Sequence, residues 1–85
     1  MTWTLVSTAN FERGLKRLSS IDIERSRTAL EEIARDPYSF KELRGRFRDL
    51  RSARVGGRRI IYTINGSRRE VVLLAVEPRG SVFEH

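Results

Sequence analysis

The segment RVGGRRIIY, Arg54–Tyr62, restricts the possible folds of this chain more than any other stretch. Two adjacent glycines follow one strand-like run and precede another, the pattern of strands joined by a two-residue hairpin. With Gly56 and Gly57 as the central pair, the spacing predicts a type I′ turn, which needs positive φ at both positions. Val55 then pairs with Arg58, Ala53 with Ile60, Ser52 with Ile61, and Arg54 with Arg59. Side chains alternate across a sheet, so Ala53, Val55, Ile60, Tyr62 and Ile64 share one face, the side for helices. Leu50, Ser52, Arg54, Arg59, Ile61 and Thr63 share the other. Like charges directly opposed across strands are destabilising, so an anion bound at Arg54 and Arg59 would relieve a cost to the fold. Arg51 and Arg58 fall by parity on the helix side, at the sheet margin, with their charged ends reaching water.

The remaining chain supplies what a hairpin needs to become a domain. Met1–Val6 alternates apolar residues with threonine and predicts a strand. Ser7 or Thr8 can cap a helix that carries Phe11, Leu15 and Leu18 on one stripe. The SSID segment breaks it and caps a second helix, from about Ile21 to Arg35, with Ile23, Leu30, Ile33 and Ala34 inward and Asp36-Pro37 as the stop. Residues 38–47 read as irregular, anchored by Phe40, Leu43 and Phe47. Strands follow at Leu50–Val55, Arg58–Ile64 and Glu70–Val76, the last two joined at Asn65-Gly66-Ser67. The order β-α-α-β-β-β predicts one α+β domain over residues 1–85, an antiparallel sheet packed on one face by a helical hairpin.

Charge is distributed unevenly. Residues 41–69 hold ten Lys/Arg against Glu42 and Asp49, whereas the rest of the chain holds seven basic and nine acidic side chains. The formal net charge of +6 therefore lies in the strand-rich third, a localised field suited to a polyanion. The absence of cysteine excludes a disulfide framework and a thiolate zinc site, and one histidine excludes an imidazole-rich metal site. No cofactor is implied. The WTLV run is too short for a signal-peptide core, and no apolar run approaches the ~20 residues of a membrane span. The expectation is a cytoplasmic protein with no membrane partner.

DLRSARVGGRRIIYTIN followed by LLAVEPRGSVF resembles the RelE/ParE superfamily of toxin–antitoxin modules over nearly the whole chain. The shared elements are the helical hairpin with its DP stop, Leu43-Arg44-Gly45, the R-V-G-x-x-R-I-I-Y hairpin, and an arginine tail with an aromatic four residues on. The PRG tail and short length look closest to archaeal-type RelE. The resemblance implies a RelE-like fold and a ribosome-dependent endoribonuclease that cleaves mRNA in the ribosomal A site without a metal. It also implies a cognate, RelB-like antitoxin that would offset the basic face and cover exposed apolar groups such as Ile61. Arg59 falls on the arginine that RelE nucleases apply to the scissile phosphate, Arg79 on the tail arginine, and Arg54 on the residue that opens the hairpin motif. Leu50 and Ser52 stand where some relatives carry lysines, and Phe83 where tyrosine is common. His85 ends the chain, as in some relatives with a histidine-containing tail.

Cleavage by 2′-OH attack requires removal of a proton, stabilisation of charge on the phosphate, and protonation of the 5′ leaving oxygen. Arg54, Arg59 and Arg79 meet the second need, since guanidinium stays charged and can fork onto phosphate oxygens. His85 is the side chain that titrates near neutrality unaided, which makes it the fourth candidate catalytic residue. Arg46, Arg48, Ser52 and Phe83 are candidate RNA contacts, Phe83 by stacking on a splayed base. Two alternatives stand beside this reading: a ParE-type DNA gyrase poison, and a catalytically degenerate member that binds RNA or antitoxin without cutting.

Overall fold

The computed structural model describes residues 2–78, which form two helices against a five-stranded sheet. The elements are β1 (Thr4–Ser7), α1 (Ala9–Lys16), α2 (Ser20–Arg35), β2 (Lys41–Glu42), β3 (Arg51–Val55), β4 (Arg58–Asn65) and β5 (Glu70–Pro78). Single 3-10 turns at Pro37–Ser39 and Gly45–Phe47 flank β2. The expected α+β order is present, with β2 as an added element inside the stretch expected to be irregular. The sheet order is β1-β5-β4-β3-β2, and β1 runs parallel to β5 while every other pair is antiparallel. The sheet is thus mixed rather than wholly antiparallel. The helical hairpin carries the chain across the sheet after β1, so β1 pairs along the last strand in the same direction.

Local chemistry accounts for both helices. Thr8 is the N-cap of α1, its Oγ1 accepting from Phe11 N, and Ser19 Oγ caps α2 by accepting from Asp22 N. Asp36 ends α2 and its carboxylate accepts from Tyr38 N, while Pro37 has no amide hydrogen with which to continue the helix. The inner face of α2 is Ser26, Ala29 and Ile33, all buried, with Leu30 half-buried beside them. Ile23, expected inward, is instead 37% exposed, because it lies on the margin of the stripe that Ile33 and Ala29 define.

The main core lies between the helices and one sheet face. Phe11, Ile33, Ala53, Val55, Ile60, Tyr62, Val71 and Leu73 are all buried there, each large apolar side chain contributing about 1.5–3 kcal/mol. Tyr62 is the largest of them, and its hydroxyl donates to Pro37 O at 2.7 Å, tying β4 to the end of α2.

A second, smaller cluster occupies the opposite face. Leu43, Ile61 and Ala75 are buried, with Phe47, Leu50 and Leu74 packed against them. Ile61 is only 1% exposed, so the expectation that a partner would cover it is corrected: residues 43–50 already do. That segment closes on itself through Leu43 N to Leu50 O at 2.8 Å and Leu50 N to Phe47 O at 2.9 Å. A bulge in β5 aligns the two clusters. Ile61 pairs with Ala75 and Tyr62 with Leu73, leaving Leu74 unopposed. Its carbonyl accepts from Asn10 Nδ2 at 2.9 Å, which fastens α1 to the sheet.

Candidate functional site

The β3–β4 register matches the hairpin arithmetic residue for residue: Ser52 opposes Ile61, Arg54 opposes Arg59 and Val55 opposes Arg58. The turn differs from expectation. Gly56 has φ +60°, but Gly57 is not in the positive-φ region, which is the pattern of a type II′ turn rather than type I′. A Cβ on Gly56 would lie 2.9 Å from Arg25 Nη1 and 3.1 Å from Asp22 Oδ1. Packing of α2 against the turn thus demands the missing side chain as well as the dihedral.

Arg54 and Arg59 therefore project from adjacent strands to the face away from the helices. On its other side Arg59 pairs with Glu77 of β5. A basic, basic, acidic row crosses β3, β4 and β5, so the fold itself supplies part of the compensation expected of a bound anion. Arg54 is exposed, whereas Arg59 is half-buried and its Nη1 donates to Ser52 Oγ at 3.2 Å. Ser52 is 7% exposed. It serves Arg59 as an acceptor rather than lying open to RNA as a direct contact.

Two residues that sequence reasoning did not select share this face. Lys41 of β2 stands directly opposite Ser52, and Glu77 directly opposite Arg59. A two-residue strand has no periodicity to read, and Glu77 could be placed only by counting past a bulge. Arg46 and Arg48, expected as RNA contacts, are exposed on the 43–50 segment that covers the same face, with the Arg46 guanidinium 5.0 Å from the Phe47 ring centroid. Arg51 does not join the site. Its Nη1 donates to Phe40 O at 2.8 Å and its guanidinium lies over Tyr38, so it clamps the chain after α2. Arg79, Phe83 and His85 lie outside the described residues.

No protein-family model matches the sequence, and no curated protein matches it. Solved structures do. The toxin–antitoxin complex RelBE2 from Mycobacterium tuberculosis contains a chain 30% identical to this one, with a TM-score of 0.72, over 93% of this chain and 100% of that one. The chain belongs to the RelE/ParE toxin superfamily. The archaeal RelE–RelB complex from Pyrococcus horikoshii OT3 is similar at 25% identity and TM-score 0.77, over 96% of this chain and 100% of that one. The YoeB/ParE toxin from Agrobacterium tumefaciens, at 18% identity, shares the fold with a TM-score of 0.78 over 89% and 98% of the two chains.

Within this superfamily member, the R-V-G-x-x-R motif does two jobs at once. Its first glycine, Gly56, admits α2 against the turn, and its outer arginines present paired charge on the opposite face. Among the described residues, no three His, Cys, Asp or Glu side chains gather as a metal-binding group, and no helix is long and apolar enough to cross a membrane.

Proposed function

We propose that this chain is a RelE-type toxin, a ribosome-dependent endoribonuclease that cleaves mRNA in the A site by metal-independent attack of a 2′-OH on the adjacent phosphate. The reading rests chiefly on the Arg54–Arg59 pair, with Arg59 held by Ser52 Oγ at 3.2 Å. Attack by the 2′ oxygen forms a new P–O bond and breaks the P–O5′ bond, leaving a cyclic phosphate and a 5′-hydroxyl. The phosphate gathers negative charge on its way, and Arg59 and Arg54 are placed to fork onto its oxygens. Lys41, opposite Ser52, brings a cation to the same face from another strand. Arg79 completes the cationic set in this proposal, Phe83 stacks on a base, and His85 is the proposed proton carrier. Arginine is too basic to take the proton. Most of the acceleration then comes from electrostatics and from holding the RNA in line.

The superfamily relatives RelBE2 and archaeal RelE were solved in toxin–antitoxin and RelE–RelB complexes, which supports a RelB-like antitoxin as partner. The site of action would be the cytoplasm, where ribosomes translate. Primer extension on ribosome-bound mRNA tests the reading, with the wild type compared with Arg54→Ala, Arg59→Ala and Arg79→Ala. The expected result is ribosome-dependent cutting, insensitive to EDTA, that each substitution lowers by about tenfold or more. Equal cutting by all four proteins would remove the site assignment. The likeness to a toxin named YoeB/ParE keeps a second reading, a ParE-type gyrase poison. Inhibited supercoiling with intact mRNA would select it. Leu50 and Ser52 in place of lysines favour a third, a member that binds RNA or antitoxin without cutting, and binding without cleavage by the wild type would select that one.

A further inference from the structure

Arg58 and Arg59 are neighbours in β4 and so leave the sheet on opposite faces. Arg59 belongs to the row described above. Arg58 turns instead toward α1, where it lines a polar cleft of about 250 Å³ together with Arg13, Arg17 and Asn10 of the helical side and Glu77 of β5. Among the described residues, none of Arg13, Arg17 and Arg58 has an ion-pair partner, and Glu77, at the β5 edge of the cleft, stands opposite Arg59 and so belongs by register to the other face of the sheet.

Two arginines of α2 have acidic partners one turn away on the same helix. Arg25 pairs with Asp22 at 3.3 Å and Arg27 with Glu24 at 3.7 Å, both three residues apart on one helix. On α1 the arrangement has the opposite sense: Arg13 and Arg17 lie four residues apart with like charge, which is mildly destabilising. Basic residues at the end of a helix are favoured by its dipole, which accounts for Arg17 at the C-cap of α1. The dipole gives no reason for Arg58, from a strand, to line the same cleft. Asn10 is anchored to Leu74 O, and a Cβ on Gly14 would lie only 3.3 Å from Val76 Cβ, so the glycine lets α1 sit close against β5. The helix bearing Arg13 and Arg17 is therefore held close to the strand ends, so the three charges are held on a packed frame.

The geometry points to a second phosphate site in this cleft, one that takes an RNA phosphodiester backbone at the helical side of the sheet end while Arg54 and Arg59 hold the strand to be cut on the other. The bound phosphate comes either from the mRNA itself or from ribosomal RNA. The inference rests on the RNA-directed reading above, and a binding measurement separates the two.

The purified protein is titrated against a labelled single-stranded oligoribonucleotide and against 70S ribosomes over a range of salt concentrations. Removing one phosphate-binding cation lowers the slope of log affinity against log salt by about 1. Arg13→Gln/Arg17→Gln is expected to lower the slope by about 2 and Arg58→Gln by about 1, with unchanged circular dichroism. Arg13→Lys/Arg17→Lys is expected to retain the wild-type slope. Arg27→Gln/Arg35→Gln, which removes the same charge from α2, serves as control. A lowered slope on both RNAs assigns the phosphate to the mRNA strand, and a lowered slope on ribosomes alone assigns it to ribosomal RNA. Slopes for Arg13→Gln/Arg17→Gln no lower than the control overturn the inference while leaving the nuclease reading intact. Steep, cleft-dependent binding by a wild type that never cuts overturns the nuclease reading alone, and a wild type without salt-sensitive RNA binding overturns both.

Discussion

Arg59 has neighbours that act in opposite senses: Arg54 across β3 raises its energy, while Glu77 across β5 and Ser52 Oγ lower it. Arg54 has no comparable support and is exposed. Its replacement by alanine should leave thermal stability within about 0.5 kcal/mol of wild type, or slightly higher, because only a repulsive pair is removed. The same substitution should lower cleavage, and a clear loss of stability in a melting experiment would show that Arg54 also has a structural role. Tyr62 makes a prediction of a different kind. Burial pushes its phenol well above the ordinary value of 10.0, with Arg51 opposing the shift and Asp36 adding to it. The unfolded tyrosine ionises near pH 10 while the folded one keeps its proton. Its contribution is thus fully present below that pH and is lost as pH rises beyond it. Tyr62→Phe should cost about 1–2 kcal/mol at neutral pH, from the bond to Pro37 O, yet flatten the alkaline decline. Urea unfolding at neutral and strongly alkaline pH compares the two curves, and parallel declines would mean another group governs that limb.

At the level of elements, the hairpin was legible in strand length and register but not in turn type. Two glycines permit either turn, and since both types take positive φ at Gly56 the difference lies in the backbone of Gly57, which is not in the positive-φ region. Asp22 and Arg25 of α2 press on Gly56 and leave Gly57 open. Gly56→Ala should therefore destabilise by about 1–2 kcal/mol, whereas Gly57→Ala should be close to neutral. Chemical denaturation of both variants decides the matter, since a type I′ turn would penalise the two alike. The second core shows the opposite limit. Alternation put Ile61 away from the helices correctly, but periodicity within β4 carries no information on whether that face is bare. The cover comes from Leu43, Phe47 and Leu50, whose spacing matches neither helix nor strand. Ile61→Ala should cost about 2–4 kcal/mol in unfolding free energy. A change below about 0.5 kcal/mol would indicate that residues 43–50 do not cover it in solution.

For the whole molecule, the localised positive charge of residues 41–69 separates on folding into two groups, one on each side of the sheet end. Arg54 and Arg59 stand on the outer face, and Arg58 joins Arg13 and Arg17 from the helical side. Wild-type affinity for ribosomes should therefore fall steeply with salt, over more than the two charges of the hairpin pair. A log–log slope no steeper than that pair accounts for would restrict binding to one face. Sequence alone determined the strand pairing that opposes Arg54 to Arg59, the two caps and the stop of the helices, and the α+β order, because each depends on residues close along the chain. Tertiary structure decided the mixed sheet, the turn type, the cover over Ile61, and the company of Lys41, Glu77 and Arg13 around the basic residues. Those depend on which distant segments meet, and that follows from packing a bulged strand and a short helix against a common core rather than from any local pattern.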